Sequence, residues 1–344
     1  MVGQRKTVST SAENRFLKFG DTKVFPGERK KVFLDVASLY DYTQLNIPIE
    51  VIRGKQPGPI MFICSAIHGD EINGVETIRK LLKKKALKGI KGTLIAVPVV
   101  NVFGYNNKSR YLPDRRDLNR NFPGSPNGSL ASRLAHFFIK EVVSKCTHGI
   151  DLHTGAIHRG NLPQLRASLD DAETKELAKC FGVPVVIDAA LRDGSLREAA
   201  RKRKVKTLLF EGGEALRFEP HVIQQALRGC LAVMRKVGML PPSLQPLKVR
   251  QSFLAKSSYW LRASHSGAFS AFKKLGDHVE AGDVLAVISD TFGENPYPVV
   301  ASEAGIVIGV SYIPLVNRGE AMFHVATFKN TAKVKNAIDL LDEL

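Results

Sequence analysis

The sequence predicts an α/β domain with a largely parallel or mixed sheet, followed by a small all-β domain. Apolar strand patterns alternate with amphipathic helix patterns through the N-terminal part of the chain, which is typical of α/β folds. Adjacent prolines at 241–242, with a third at 246, then interrupt the helical pattern and predict a linker. Beyond them, short strand patterns are separated by turn residues. The predicted units are residues 1–244 (α/β domain), 245–330 (all-β domain) and 331–344 (C-terminal tail).

The α/β domain is predicted from the order of its elements. Alternation of apolar and polar residues favours a lead-in of strands within residues 23–53. Short apolar runs predict buried strands at 60–67, 93–100, 148–152 and 207–210. Apolar residues at helical spacing predict helices at 75–82, 133–143, 172–181 and 220–237.

The all-β domain is predicted from short runs divided by glycine and asparagine turns. Its strand candidates are residues 259–263, 268–272, 284–288, 298–301, 305–310 and 322–326.

Composition is typical of a globular protein and favours anionic partners. Of 344 residues, 44% are hydrophobic, and 50 basic against 33 acidic residues give a net charge of +17. Such a charge favours acidic small substrates or nucleic acid. Much of the excess lies within residues 83–91 and 201–206, where aromatic residues are few and no nucleic-acid-binding motif occurs. Solvated helix faces are therefore the favoured interpretation, and nucleic acid is not an expected partner.

Cysteine usage and the amino terminus favour the cytoplasm. The four cysteines form no Cys-x-x-Cys pair and lack the density of a disulfide scaffold. Residues 1–20 contain no continuous apolar segment of the kind a signal peptide has, and no apolar run approaches the length of a membrane span. We therefore expect a cytoplasmic protein without a membrane partner.

Ionisable clusters follow three of the predicted buried strands. His68 and Glu71 follow the first, Asp151 and His153 end the second, and Glu211 ends the third. Because ligands bind beyond the carboxyl ends of strands in α/β sheets, these clusters are expected to meet. Two histidines and one carboxylate fill three positions of a tetrahedral zinc site and leave the fourth open for water. A lone His-x-x-Glu pair arises often by chance, but the distant His153 strengthens the prediction of one metal site.

The remaining carboxylates of these clusters differ in how strongly the sequence favours them. Asp151 could orient a histidine ligand, but it is expected to point to the opposite face of the strand from His153 and only to make a salt bridge. Glu211 follows an apolar strand and precedes two glycines, which allow close approach of the backbone to a ligand. A carboxylate in a partly dry site suits taking a proton from water and passing it to a leaving amine. Glu211 is therefore the predicted base, with Glu214 as the competing carboxylate.

A run rich in arginine, residues 109–124, lies between the first two clusters. Guanidinium groups match carboxylates bidentately, and the amide of Asn119 beside Arg120 would add a directional hydrogen bond. The run is interpreted either as a binding loop for an anionic substrate or as an ordinary surface loop.

Taken in order, four motifs resemble those of the succinylglutamate desuccinylase/aspartoacylase family, distant relatives of the zinc carboxypeptidases. The motifs are His68-Gly-Asp-Glu71, Asp117-Leu-Asn-Arg120, Asp151-Leu-His153 and Glu211-Gly-Gly213. The resemblance spans most of residues 25–330 and implies a mixed-sheet, zinc carboxypeptidase-like domain.

The resemblance also implies roles for individual residues. By this likeness His68, Glu71 and His153 bind one Zn²⁺ per chain, and Glu211 is the general base and acid. Asn119 and Arg120 hold a substrate carboxylate. Arg110 is similar to the family's arginine that polarises the scissile carbonyl and stabilises the oxyanion. The spacing from Arg110 to Asp117 is longer than in aspartoacylases, which leaves Arg115 and Arg116 as alternatives.

The C-terminal region resembles the barrel-sandwich hybrid fold of biotinyl and lipoyl carriers, through residues 275–283 and 305–309. Carrier function needs a lysine at a hairpin tip, and residues 275–328 contain none. This region is therefore interpreted as a structural lid or an assembly surface.

The resulting hypothesis is a zinc-dependent hydrolase that cleaves an amide or ester in a small, carboxylate-bearing compound similar to an N-acyl amino acid. One alternative is a metallocarboxypeptidase acting on peptides. Another is a non-catalytic or nucleic-acid-binding protein that uses the same fold. A homo-oligomer is also left open.

Overall fold

One long mixed β-sheet, built by strands from both the N-terminal and the C-terminal part of the chain, organises the molecule. It is seen in a computed structural model that describes residues 16–242 and 251–342. The N-terminal strands are β1 (Leu17–Phe19), β2 (Thr22–Val24), β3 (Arg29–Ser38), β4 (Gln44–Arg53), β5 (Ile60–Ser65), β6 (Thr93–Val97), β7 (His148–His153), β8 (Arg159–Ala167), β9 (Val185–Asp188) and β10 (Lys206–Gly213). The helices among them are α1 (Asn73–Leu82), α2 (Val102–Asn106), α3 (Leu130–Glu141), α4 (Ala172–Phe181), α5 (Leu196–Arg201) and α6 (Pro220–Lys236).

The C-terminal part of the chain is rich in strands and ends in a helix. Its strands are β11 (Phe253–Leu254), β12 (Ser257–Arg262), β13 (Gly267–Ala271), β14 (His278–Val279), β15 (Val284–Ser289), β16 (Tyr297–Val300), β17 (Gly305–Ser311), β18 (Leu315–Val316) and β19 (Ala321–Thr327). Helix α7 (Thr331–Asp342) follows them and covers most of the residues predicted as a tail.

The centre of the long sheet is parallel, and its flanks are antiparallel. Strands β10, β7, β5 and β6 pair in parallel. Strand β4 joins β6 antiparallel on one side, and β8 joins β10 antiparallel on the other. The carboxyl ends of β5, β7 and β10 therefore meet at one edge, as the positions of the ionisable clusters predicted.

Both faces of this sheet are buried, because the central strands alternate their side chains between two cores. In β5, Met61 and Ile63 pack with residues of α1, α4 and α6, whereas Phe62 and Cys64 pack in the other core with α3. A strand that is buried on both sides needs an unbroken apolar run. This requirement explains why β5 and β6 were recognisable in the sequence.

Most of the predicted elements of the N-terminal part are confirmed with small shifts at their ends. Helix α4 has the predicted bounds, and α6 ends one residue early. Helix α3 begins at Leu130 rather than at residue 133, since Ser129 caps it by accepting a hydrogen bond from the backbone amide of Ser132 at 3.3 Å. Strand β6 ends at Val97 rather than at residue 100. Strands β8 and β9 were not predicted.

The second, β-rich region joins the long sheet rather than standing beside it. Strands β12, β19 and β17 continue the sheet, with β17 pairing antiparallel to β8. Strands β16, β15, β13 and β18 form a separate sheet, and the two sheets share an apolar core that includes Leu285, Ile288 and Phe323. On the other side of β17, Ile306 and Ile308 pack against Val334 and Ile338 of α7.

The barrel-sandwich likeness and the domain boundaries stay predictions. Residues 243–246 of the linker predicted at 241–246 lie outside the described residues. Within 16–242 and 251–342, no helix combines the length and apolar character that crossing a membrane would require.

Most of the lysine and arginine residues in the two basic runs are exposed. The lysines of residues 83–91 are exposed. In the run 201–206, Arg201 pairs with Asp170 at 2.5 Å, and Lys206 pairs with Asp171. The charges are solvated as predicted, but residues 83–91 and 202–206 lie beyond the ends of α1 and α5 rather than on α-helix faces.

Candidate metal centre

The strand ends bring the predicted metal ligands to one place. His68 and Glu71 lie in the turn between β5 and α1, and His153 is the last residue of β7. The turn packs closely on α2, because a Cβ added at Gly69 would lie 2.0 Å from the carbonyl carbon of Gly104. Glycine is therefore required at this position of the motif.

His68, Glu71 and His153 form a buried cluster. Their ligand-capable atoms all lie within 4.8 Å of one another. Nδ1 of His68 is 2.7 Å from Oε1 of Glu71, and Nδ1 of His153 is 2.7 Å from Oε2 of the same carboxylate. Glu71 therefore bridges the two imidazoles, and the three side chains face a common centre.

A second layer of carboxylates holds the outer nitrogen of each histidine. Nε2 of His68 lies 3.0 Å from Oδ1 of Asp117, and Nε2 of His153 lies 2.8 Å from Oδ2 of Asp151. A histidine that donates Nε2–H to a carboxylate keeps the Nδ1 lone pair available for a metal ion. The arrangement is the one that metal-binding histidines usually show.

The expectation for Asp151 was wrong. Asp151 was expected to point to the opposite face of β7 from His153, yet the two side chains are hydrogen bonded. Side chains alternate along a strand, so residues two apart share a face. Asp151 is completely buried and also accepts a hydrogen bond from the thiol of Cys64 at 3.4 Å.

Burial and charge act in opposite directions on these groups. Burial alone would lower the pKa of His153, but the charges of Asp151 and Glu71 outweigh it and raise that pKa well above its usual value. The pKa of His68 is raised in the same way, against burial, chiefly by Glu71. Burial would raise the pKa of Glu71, and the two histidines instead hold it well below the usual range. The carboxylate is thus ionised, as a metal ligand must be, whereas a protonated His68 or His153 must release its proton when a metal ion binds.

The donor set fits a zinc ion. Two imidazole nitrogens and one carboxylate oxygen are the ligands of many catalytic zinc sites, in which a fourth position stays open. The three side chains are buried and the histidines have oriented outer partners, which is a further property of such sites.

Arg110 lies beside this cluster, whereas the two alternative arginines do not contact it. Nη1 of Arg110 is 3.1 Å from Oε1 of Glu71, and Nη2 is 3.0 Å from Oδ2 of Asp117. Arg115 is exposed, and Arg116 is exposed beside Asp114 at 3.7 Å. Of the three, Arg110 is the one placed to touch a group bound at the cluster.

Asn119 and Arg120 reach the same region through Asp117. The carboxylate of Asp117 accepts a hydrogen bond from the backbone amide of Asn119 at 2.8 Å and so caps the short 3-10 helix Leu118–Arg120. Asn119 is buried, and its Oδ1 accepts from the amide of Leu196 at 2.9 Å. Arg120 is exposed, with Nη1 2.5 Å from the carbonyl oxygen of Asn119. Asp117 thus joins this segment to His68 and Arg110.

Glu211 stands next to His153 in the sheet. The two residues are register partners on the parallel strands β10 and β7. Burial raises the pKa of Glu211, and the positive charges of Arg166 and His153 partly oppose this. Glu214, the competing carboxylate, instead accepts a hydrogen bond from the backbone amide of His158 at 2.9 Å. Glu211 is therefore the carboxylate whose surroundings include the cluster.

Several residues of the site were missed in the sequence. Asp117 was part of a quoted motif, but no role was given to it. Asn161 and Arg166 of β8, which neighbour Glu211, were not considered, because Pro163 interrupts the strand pattern there. The signal that could have found β8 is the alternation of apolar Leu165 and Ala167 with polar Gln164 and Arg166.

A model of the succinylglutamate desuccinylase/aspartoacylase catalytic domain matches residues 57–237, more than half of the 344 residues. The chain belongs to the succinylglutamate desuccinylase/aspartoacylase family. The resemblance carried by the four motifs is confirmed, and the α/β fold with its second β-rich region is that of the family's solved structures.

Relatives within the family cover most of the chain. N-alpha-acetyl-L-2,4-diaminobutyric acid deacetylase of Halomonas elongata is 29% identical over 295 residues, which are 81% of this chain and 85% of that protein. The product-bound ectoine utilization protein EutE (DoeB) of Ruegeria pomeroyi has a TM-score of 0.78 and 25% identity, over 87% of this chain and 95% of that one.

A further solved structure supports the fold alone. The succinylglutamate desuccinylase/aspartoacylase of Rhodobacter sphaeroides has a TM-score of 0.78 at 24% identity, covering 87% of this chain and 96% of that one. The names of the family and of the Halomonas relative are those of deacylases.

Proposed function

We propose that the protein is a zinc-dependent deacylase that hydrolyses the amide, or an ester, of a small carboxylate-bearing compound similar to an N-acyl amino acid. The observation that carries this proposal is the buried His68–Glu71–His153 cluster with Glu211 at the neighbouring register position. The activity named for the Halomonas relative, removal of an acetyl group from an amino acid, supports the same reaction class.

The role proposed for each residue is based on the position of its side chain. His68, Glu71 and His153 hold the ion, while Asp117 and Asp151 orient the two imidazoles. When bound, zinc polarises the scissile carbonyl and lowers the pKa of a water molecule. Glu211 then takes a proton from the attacking water and passes it to the leaving amine.

Arg110 supplies a fixed positive charge for the oxygen that becomes negative during the reaction. Its guanidinium group is held by ion pairs with Glu71 and Asp117, so its orientation is set before substrate binds. A preorganised donor of this kind stabilises developing charge without the cost of reorienting solvent.

Asn119 and Arg120 are proposed to hold the substrate carboxylate. Arg120 is exposed and can present its remaining guanidinium nitrogens to a ligand, whereas the backbone of Asn119 is fixed by Asp117. The substrate carboxylate is therefore expected on the side of the cluster where Arg110 lies. A cytoplasmic location and a homo-oligomeric state stay predictions.

The test is replacement of the proposed base, with the competing carboxylate as the matched control. Glu211→Gln is expected to keep one zinc per chain and to abolish hydrolysis of N-acetylated amino acids. Glu214→Gln, which retains an acceptor for the amide of His158, is expected to hydrolyse at nearly the parental rate. Peptides assayed in parallel separate the deacylase from a carboxypeptidase. Parental turnover in Glu211→Gln would contradict the assignment.

A further inference from the structure

Strand β8 contributes a polar neighbour to each oxygen of Glu211. Nδ2 of Asn161 donates a hydrogen bond to Oε2 at 3.0 Å. Nε of Arg166 forms an ion pair with Oε1 at 3.9 Å. Each oxygen of the Glu211 carboxylate therefore has a polar partner on β8.

An irregularity in β8 makes this double contact possible. In a regular strand, residues five apart point to opposite faces, so Asn161 and Arg166 would not meet the same side chain. The pairing with β10 shifts register here: Gln164 stands opposite Glu211, whereas Asn161 stands opposite Gly213. Three steps along β8 thus match two along β10. Such an extra residue changes the direction in which the neighbouring side chains point, and here it directs Asn161 towards Glu211.

Strand β17 of the C-terminal region pairs with β8 on the side of Asn161 opposite to β10. Gly309 of β17 is the register partner of Asn161, and Gly213 of β10 is its partner on the opposite side. A Cβ at position 309 would lie 3.3 Å from Oδ1 of Asn161 and 3.1 Å from Cβ of His324. Glycine at 309 therefore lets β17 approach while leaving Asn161 the room its rotamer needs.

We propose that Asn161 and Arg166 are positioning residues that hold the two oxygens of the Glu211 carboxylate, and that Gly309 of β17 leaves the space that Asn161 needs for this contact. These three residues are called the clamp. The inference rests on the proposed function, in which Glu211 moves the proton. A carboxylate on an unrestrained side chain samples several rotamers. A fixed one keeps the orientation that proton transfer requires, and misplacement by about 1 Å costs on the order of 100-fold in rate.

The first test replaces the hydrogen-bond donor. Asn161→Ala removes the donor, and Asn161→Asp keeps the shape but places a like charge beside Glu211. Both are expected to lower kcat by roughly 10- to 100-fold with KM and zinc content near the parental values, because the orientation of the base is lost and binding is not.

The second test uses charge, with a control on the same strand. Arg166→Gln is expected to lower kcat, and Arg166→Lys is expected to restore most of it, since the ion pair needs a cation. Arg159→Gln makes the same change of charge at an exposed position of β8 and should leave kcat unchanged. Gly309→Ala should lower kcat less than Asn161→Ala does.

Three results would overturn the proposal. One is a parental kcat in both Asn161 variants while Glu211→Gln is inactive, which leaves the proposed function intact. Another is an equal loss in Arg166→Gln and Arg166→Lys together with loss of zinc, which indicates a structural role. Parental turnover in Glu211→Gln would instead remove the proposed function on which the clamp depends.

Discussion

Two regions on opposite sides of Glu211 are built in different ways: the cluster of His68, Glu71 and His153, and a wall formed by Asn161, Gln164 and Arg166 of β8 with His324 of β19. In the cluster, both nitrogens of His68 and of His153 meet carboxylates within 3.0 Å. In the wall, among the residues that the structure describes, Gln164 Oε1 and His324 Nδ1 are buried without a hydrogen-bond partner, and Arg166 Nε meets Glu211 only at ion-pair distance, 3.9 Å. The cluster is a closed network, and the wall keeps unused hydrogen-bonding capacity.

This difference predicts how substitutions in the two regions will act. A closed network of charged groups resists substitution, because removing one member leaves another buried and unpaired. Asn161 and Arg166 of the wall instead contact Glu211, which is not one of the three proposed metal ligands. We therefore expect variants of the cluster to fail in metal binding and variants of the wall to fail in turnover alone.

The largest effect is expected from a metal ligand. His153→Ala should reduce zinc from one per chain to a small fraction and abolish hydrolysis, because two ligands cannot replace a three-ligand site. Metal analysis and turnover are measured together. His158→Ala is the control, since His158 is exposed beyond the end of β7. If His153→Ala retained full zinc content, the cluster would not be the metal site.

A smaller loss is expected from the arginine that bridges the cluster and the arginine-rich loop. Arg110→Ala should lower kcat by roughly 100- to 1,000-fold, the range found when one donor to a developing oxyanion is removed. Arg116→Ala should change kcat by less than about twofold, because an exposed arginine beside one aspartate contributes little. A larger loss of kcat in Arg116→Ala than in Arg110→Ala would instead favour Arg116 as the residue that stabilises the oxyanion.

Loss of an outer carboxylate, Asp117 or Asp151, is expected to weaken metal binding without abolishing it. Asp151→Asn preserves the shape of the side chain and removes the charge that orients His153. Zinc affinity is expected to fall by roughly 10- to 100-fold, measured by competition with a chelator. Asp188→Asn, at the exposed end of β9, serves as control. Unchanged affinity in Asp151→Asn would show that the hydrogen bond to His153 does not support the metal.

The smallest effect concerns stability at the wall. Burial, together with the charge of Arg166, lowers the pKa of His324 to about 3, and the ring stacks on Trp260 at 4.2 Å. In the unfolded chain, this histidine takes up a proton below its ordinary pKa of about 6.5, so the folded state loses stability as pH falls from that value towards 3. His324→Phe keeps an aromatic ring and abolishes this linkage.

We therefore expect the free energy of unfolding of the parent to fall by about 2 kcal/mol more than that of His324→Phe between pH 7 and pH 5. Urea unfolding at the two pH values measures the difference. Parallel pH dependence of the two proteins would show that His324 is not held neutral in the folded state.

The cluster was predictable because its signals are local. His68 and Glu71 share one turn, His153 and Glu211 end apolar runs, and the carboxyl ends of parallel strands meet at one edge. The same local reasoning failed for Asp151 only through an error in strand periodicity.

The wall was not predictable, because its geometry depends on pairing between distant segments. Asn161 meets Glu211 only through the register shift between β8 and β10, and its other side is set by Gly309, more than a hundred residues away. No pattern within β8 encodes that shift, and Pro163 weakens the strand signal itself. Helix α7 was missed as well, because its apolar face, Val334 and Ile338, has a partner only after β17 is in place.

The pairing of β17 with β8 makes the sheet continuous from β3 to β12. A protein cut near residue 242 would lose this partner and expose the edge of β8 at residues 159–161, since β9 pairs with β8 only at residues 164–167. Exposed strand edges recruit strands from other molecules. We therefore expect the shortened chain to aggregate and the full chain to unfold in one cooperative transition. In this architecture, exchange of the C-terminal region between relatives is expected to disturb the N-terminal part as well, because it removes a pairing partner of β8, the strand that flanks Glu211.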